Sequence, residues 1–394
     1  MGTAAAVIAL ISLFLVLLLL FLSLPVLVVV VVATEILHYT WKFPLRGYSI
    51  LPELAEGKEL NLSLPNLGSS SSTGRTAFTC MIAKDFRPFT ISPVLLVDVS
   101  FAHPPTPPHD QVSLPPRVVL KLYDRRCLSN IRDQWDERRP WSLDKEHKYR
   151  QYLDDVATGA VAHGDFDDVM FLCDNDVADG EFEAYLQHLA CKLFNAEHAT
   201  YERLGSLQGT KIPRVYGVVE YETTIPNACT DGSAVTETMP GLLIEYISPL
   251  TFWQLIETWR ARDPPLPNRI LAALCEEAVQ VIERISDFEV LNEDVHMNNF
   301  LIRGPFVTSS SHGEPEGELV IVEDAVVLID LGHCRLRRDE ESEDEWIKAK
   351  WSQDEAGAAG VVAASLVRKF VGEDVWTYKR NLRYYRPSLR EDSE

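Results

Sequence analysis

Apolar residues run along this chain in three successive patterns, and each predicts a different kind of element. From Ala4 to Ala33 there is no charge, and an apolar run dominated by Leu, Val and Ile is interrupted only by Ser12, Ser23 and Pro25. That exceeds the ~20 residues a helix needs to cross a bilayer, and predicts a transmembrane anchor over residues 1–35. A cleavable signal peptide is the alternative, although its apolar region normally spans about 7 to 15 residues behind a basic start. Positive side chains lie only on the C-terminal flank, at Lys42, Arg46 and Lys58. This predicts a single-pass membrane protein whose main domain faces the cytoplasm.

Residues 36–74 read as a linker, closing on the Ser-rich stretch from Gly68 to Gly74. Short β-branched and apolar runs follow at Thr76 to Ala83, Pro93 to Val99 and Val118 to Leu122, and predict strands. Residues 124–180 are charged and aromatic with little periodicity, and read as an insertion. The set Phe182, Tyr185, Leu186, Leu189, Leu193, Tyr201 and Leu204 then has helical spacing. Strands are predicted again at Val215 to Tyr221 and Leu242 to Ile247. Ile270, Leu271, Leu274, Ala278, Val281, Ile282 and Ile285 mark a helix of about four turns. Strands with one helix, then mostly helices, predict an α+β chain: a small β-rich part over 75–247 and a helical part over 248–380, with a polar tail over 381–394.

Composition narrows the function. The net charge of −21 argues against a nucleic-acid binder, which needs clustered Lys and Arg to neutralise phosphates. Much of the excess is one run from Asp339 to Glu345, read as a solvated loop. The seven cysteines form no Cys-x-x-Cys pair, which points to reduced thiols rather than disulfides or zinc.

The segment from Val290 to Ile302 carries the first candidate chemistry. Asp294 is followed five residues later by Asn299 and then by a short apolar run, which resembles the catalytic loop of protein kinases. The resemblance implies that Asp294 accepts or orients the proton of an attacking hydroxyl and that Asn299 helps hold magnesium. The run Val326 to Gly332 resembles the Asp-Phe-Gly strand and turn with Leu331 in place of Phe, which makes Asp330 the second metal ligand. Lys121 ends a Val-Val-Leu-Lys run close to the Val-Ala-Ile-Lys pattern, whose Lys touches the α- and β-phosphates. Its implied helical partner is Glu197, four residues before Tyr201 and seven before Leu204 on the same face. Gly241 to Ile247 resembles the hinge, where backbone groups of Glu245 and Ile247 would receive adenine.

As a whole, residues 75–380 resemble the divergent protein-kinase-like proteins common in filamentous fungi. The resemblance implies a two-lobed protein kinase-like fold with a small β-rich N-lobe and a mainly helical, truncated C-lobe. It also implies ATP and magnesium as cofactors and phosphoryl transfer to protein Ser/Thr. Several positions depart from the pattern. No Gly-x-Gly-x-x-Gly precedes Lys121, Asn292-Glu293 replaces His-Arg, and no Ala-Pro-Glu follows Gly332. His296 stands two residues after Asp294, where aminoglycoside and choline kinase-like enzymes often have His, which keeps a small-molecule acceptor open. A pseudokinase that binds nucleotide or partners without transfer is the third reading. The small-residue run Ala356 to Phe370 predicts a helix beneath the catalytic loop, with Asp354 as an anchor for its backbone.

Overall fold

Leucine alternates with polar residues in Glu59–Pro65, and this period of two builds the strand on which the architecture turns. The computed structural model describes residues 51–65, 75–100, 114–135, 140–168, 171, 177–226, 234–262, 266–303 and 324–386. Strands β1 (Glu59–Pro65), β2 (Arg75–Asp85), β3 (Val94–Ser100), β4 (Arg117–Leu122), β5 (Val215–Pro226) and β6 (Ala234–Ile244) close into one barrel in the order β1-β2-β3-β4-β6-β5. Every pairing in it is antiparallel. β1 closes the ring by pairing with β2 from Glu59↔Met81 to Pro65↔Arg75, and with β5 at Leu62↔Tyr221 and Ser63↔Glu220. Leu60, Leu62, Phe78, Ile82, Leu95, Val97, Val118, Leu120 and Leu122 fill the interior. Closure removes the exposed strand edges that an open sheet would present.

This corrects the expected two-lobed protein kinase-like fold: the strands form a closed barrel instead of an open β-rich lobe. The physical reason lies in a segment read as linker, whose alternating leucines supply the closing strand. The expected anchor over residues 1–35 and the Ser-rich stretch lie outside the described residues. Among the described residues no helix is long and apolar enough to cross a membrane, which corrects the single-pass placement.

The remaining chain is mainly helical. Helices α1 (Ser129–Trp135) and α2 (Leu143–Ala157) precede the long α3 (Asp179–Arg203). After the barrel come α4 (Phe252–Glu257), α5 (Asn268–Ser286), α6 (Glu343–Gln353) and α7 (Glu355–Phe370). The short strands β7 (Val290–Asn292) and β10 (Cys334–Leu336) pair with each other, as do β8 (Phe300–Ile302) and β9 (Val326–Leu328). α5 buries Ile270, Leu271, Leu274, Ala278, Val281, Ile282 and Ile285, the stripe its spacing predicts, and packs on α7.

The stretch read as an insertion is bound to the barrel by charge. Arg125 and Arg132, both 1% exposed, meet Glu183 of α3, which is fully buried. Arg125 also donates to Glu146 of α2 at 2.6 Å and to Glu237 of β6 at 3.2 Å, and its guanidinium lies 4.1 Å from the Tyr149 ring. Part of the acidic run is structural as well. Glu341 accepts from both terminal guanidinium nitrogens of Arg335 at 2.9 Å, and Glu345 caps α6 reciprocally with Ser342. Cys80, Cys127, Cys191, Cys275 and Cys334 are free thiols; Cys173 and Cys229 lie outside the described residues.

Candidate active site

Alternation along β4 sends Leu120 and Leu122 into the barrel and Lys121 to its outer face, toward α3. On α3, Phe182, Leu186, Ala190 and Leu193 form a buried apolar stripe, and Glu197 continues it four residues after Leu193. A carboxylate in a core stripe requires a cation or donors to offset its desolvation. Glu197 has them: Lys121 Nζ donates to its Oε2 at 2.6 Å, and the Tyr123 hydroxyl donates to the same oxygen at 2.6 Å. The Leu331 N–H donates to Oε1 at 3.4 Å.

Lys121 Nζ also donates to Asp330 Oδ1 at 2.7 Å, so one ammonium bridges both carboxylates. Burial pulls the Lys121 ammonium down, but Asp330 and Glu197 together raise it above its ordinary value. It is therefore a permanent cation. Asp330 follows β9 with φ at 61°, a left-handed conformation that Asp tolerates better than most side chains. Gly332 acts by proximity: a Cβ there would stand 3.2 Å from Glu197 Oε2.

The two short ladders bring in the other polar groups. β8 and β9 pair at Phe300↔Leu328, and the Ile329 N–H donates to the Asn299 carbonyl at 2.7 Å, so Asn299 and Asp330 flank one end of the pair. The Glu293 N–H donates to the His333 carbonyl at 3.0 Å, where β7 ends and β10 begins, and this sets Asp294 beside the same turn. Asn299 Nδ2 donates to the Asp294 carbonyl at 3.2 Å and to its Oδ2 at 3.4 Å. The amide thus turns its Oδ1 end away from Asp294. Asp294 is exposed and Asn299 half-buried.

Beneath this loop the backbone is held from α7. Glu355 Oε1 accepts from the Asn292 N–H at 2.6 Å, and Asn292 Oδ1 accepts from the Asp294 N–H at 2.8 Å. The expected anchor, Asp354, instead joins α6 to α7 with φ at 43° and pairs with Arg380. Glu355 is buried against Lys350, which donates to the Val290 carbonyl at 2.9 Å and to Ser286 Oγ at 2.8 Å. Burial pushes Glu355 up and Lys350 down, each offset in part by the other. His296 caps the short turn after it, its Nδ1 accepting from the Asn298 N–H at 3.2 Å.

Glu245 and Ile247 lie just past β6, whose Leu242 pairs with Lys121. At a rise of ~3.3 Å per residue, Glu245 sits roughly 10 Å along the strand from the lysine. Its N–H donates to the Arg214 carbonyl at 2.8 Å and its carboxylate is gripped by Arg303, which follows β8. Among the described residues neither Glu245 nor Ile247 bonds to the Lys121 cluster. Lys121, Glu197 and Asp330 are in direct contact, Asp294 and Asn299 are in direct contact, and the Asn299–Ile329 backbone bond joins the two sets.

Sequence reasoning missed Tyr123, Glu355 and Arg303. Tyr123 carries the alternation of β4 one step beyond Lys121, which is a readable signal; Glu355 and Arg303 have no pattern that singles them out. No protein-family model matches the chain, and no curated protein matches it.

The oxygen set suits a hard divalent cation. The Asp330 carboxylate and Asn299 Oδ1 are oxygen donors, as magnesium requires. Among the described residues no three or more His, Cys, Asp or Glu side chains form a ready-made cage.

Acid should weaken this structure. Burial raises the carboxyls of Asp330, Glu146 and Glu245, but Lys121, Arg125 and Arg303 respectively overcome it and hold all three below their ordinary values. The folded chain therefore binds these protons less tightly than the unfolded chain. Their contribution is complete above the unfolded carboxylate range of about 4 and is lost as pH falls through the depressed folded values. Glu355, whose carboxyl is raised, acts in the opposite sense. The melting temperature should accordingly drop steeply below about pH 4. A melting temperature that stays level from about pH 6 to 3 would show that these pairs do not stabilise the fold.

Proposed function

We propose that this chain is an ATP- and magnesium-dependent phosphotransferase that transfers the γ-phosphoryl group to a hydroxyl, with protein Ser/Thr as the acceptor. The observation that carries the reading is the buried Lys121 ammonium bridging Glu197 at 2.6 Å and Asp330 at 2.7 Å, beside Asn299 and Asp294. In this reading Lys121, oriented by Glu197, holds the α- and β-phosphates, and Asp330 with Asn299 Oδ1 holds magnesium. Bound magnesium neutralises charge developing on the phosphoryl oxygens. Asp294, exposed and acceptor-only when ionised, receives or orients the proton of the attacking hydroxyl. Backbone groups of Glu245 and Ile247 border the adenine.

One observation favours binding without transfer. The connection between β2 and β3, Phe86 to Pro93, contains no glycine to lay backbone N–H groups over the phosphates. The test is ADP formation from Mg-ATP with a mixed basic protein, an aminoglycoside and choline offered in turn. Label on protein Ser/Thr supports the proposal, and label on the small molecules moves it to a small-molecule kinase. Nucleotide binding with no ADP in any mixture contradicts transfer altogether.

A further inference from the structure

Tyr123 is 3% exposed, and its hydroxyl shares one carboxylate oxygen with Lys121. Its ring meets the Phe194 ring edge-on at a centroid distance of 5.3 Å, while the bond to Glu197 fixes where the hydroxyl points. Glu197 thus receives Tyr123 and Lys121 on Oε2 and the Leu331 N–H on Oε1, which ties α3 to β4 and to the Asp330–Gly332 turn. A lysine that engages phosphates divides its three N–H donors among more acceptors, which lessens its share in Glu197 and Asp330. A fully buried carboxylate losing its cation is costly unless other donors remain.

We infer that Tyr123 is a positioning residue of the nucleotide site: its hydroxyl keeps Glu197 in place when Lys121 turns toward phosphate. This rests on the phosphotransferase reading above. Burial, then the neighbouring Glu197, pushes the Tyr123 hydroxyl well above its ordinary value, so it remains a donor at any working pH.

The experiment measures Mg-ATP affinity from the ligand dependence of the melting temperature, for the full chain and two variants. Tyr123→Phe keeps the ring and removes only the donor; it should melt cooperatively and bind Mg-ATP about tenfold more weakly, as expected for a lost bond to a charged group. Phe194→Leu disturbs the ring contact and keeps the hydroxyl; it should lower the melting temperature and leave Mg-ATP affinity unchanged. The inference is overturned if Tyr123→Phe binds as tightly as the parent, if it no longer melts cooperatively, or if Phe194→Leu weakens binding to the same extent. A parent chain that does not bind Mg-ATP overturns the phosphotransferase reading, and this inference with it.

Discussion

Replacing Asp294 with asparagine is expected to lower turnover about 10²- to 10⁴-fold while leaving Mg-ATP affinity little changed. The side chain is exposed at the end of β7, where it is held by its own backbone N–H on Asn292 Oδ1 and by the amide of Asn299. An asparagine fits the same space and keeps an oxygen for the Asn299 amide, so the loop should stay folded. It cannot take up a proton from the acceptor hydroxyl. Single-turnover phosphoryl transfer and equilibrium nucleotide binding, measured on one preparation, separate these effects. Unchanged turnover in the Asp294→Asn protein would remove Asp294 from the chemistry.

The second large effect concerns the fold. Glu183→Ala should lower stability by about 3 to 5 kcal/mol, because it leaves two buried guanidinium groups without their shared carboxylate. Arg132 places both terminal nitrogens on Glu183, with the Arg125 carbonyl 3.2 Å from Nη2 as its other acceptor among the described residues, and Arg125 would keep Glu146 and Glu237. The Nε atoms of both arginines already lack a hydrogen-bond partner among the described residues, so the network has no acceptor in reserve. Replacing Arg125, Arg132 and Glu183 together by apolar residues of similar volume should cost much less than the single change, since no buried charge is then stranded. Urea denaturation of the single and triple variants gives both numbers. A loss below about 1 kcal/mol for Glu183→Ala would show that water reaches this network.

The site was more legible in the sequence than the architecture was. Glu197 interrupts an apolar stripe at helical spacing, and Asp294, Asn299 and Asp330 each border a short apolar strand, so their placement follows from local periodicity. Barrel closure depends on β1 pairing with β5, partners such as Leu62 and Tyr221 that are far apart in the chain. Local alternation can announce a strand but cannot name its partner. The alternation of Leu60, Leu62 and Leu64 was itself obscured by the Ser-rich stretch beside it. The ion network at Arg125 left no trace of another kind: buried charges recur with no period, and residues 124–180 read as an insertion although α2 and α3 pack closely there. Tyr123 sits between these cases, legible from the register of β4 only once Lys121 and Glu197 are known to meet.

The most direct test of the account is the melting temperature of the full chain with ATP, with and without magnesium, compared with the Asp330→Asn protein. At a ligand concentration about a hundred times the dissociation constant, binding adds about 2.7 kcal/mol, which for a chain of this size is a rise of about 3 to 4 °C. The account predicts that rise only when ATP and magnesium are both present, and its loss in Asp330→Asn. A shift that is independent of magnesium, or that survives in Asp330→Asn, would contradict a metal–nucleotide site built on Lys121, Asp330 and Asn299.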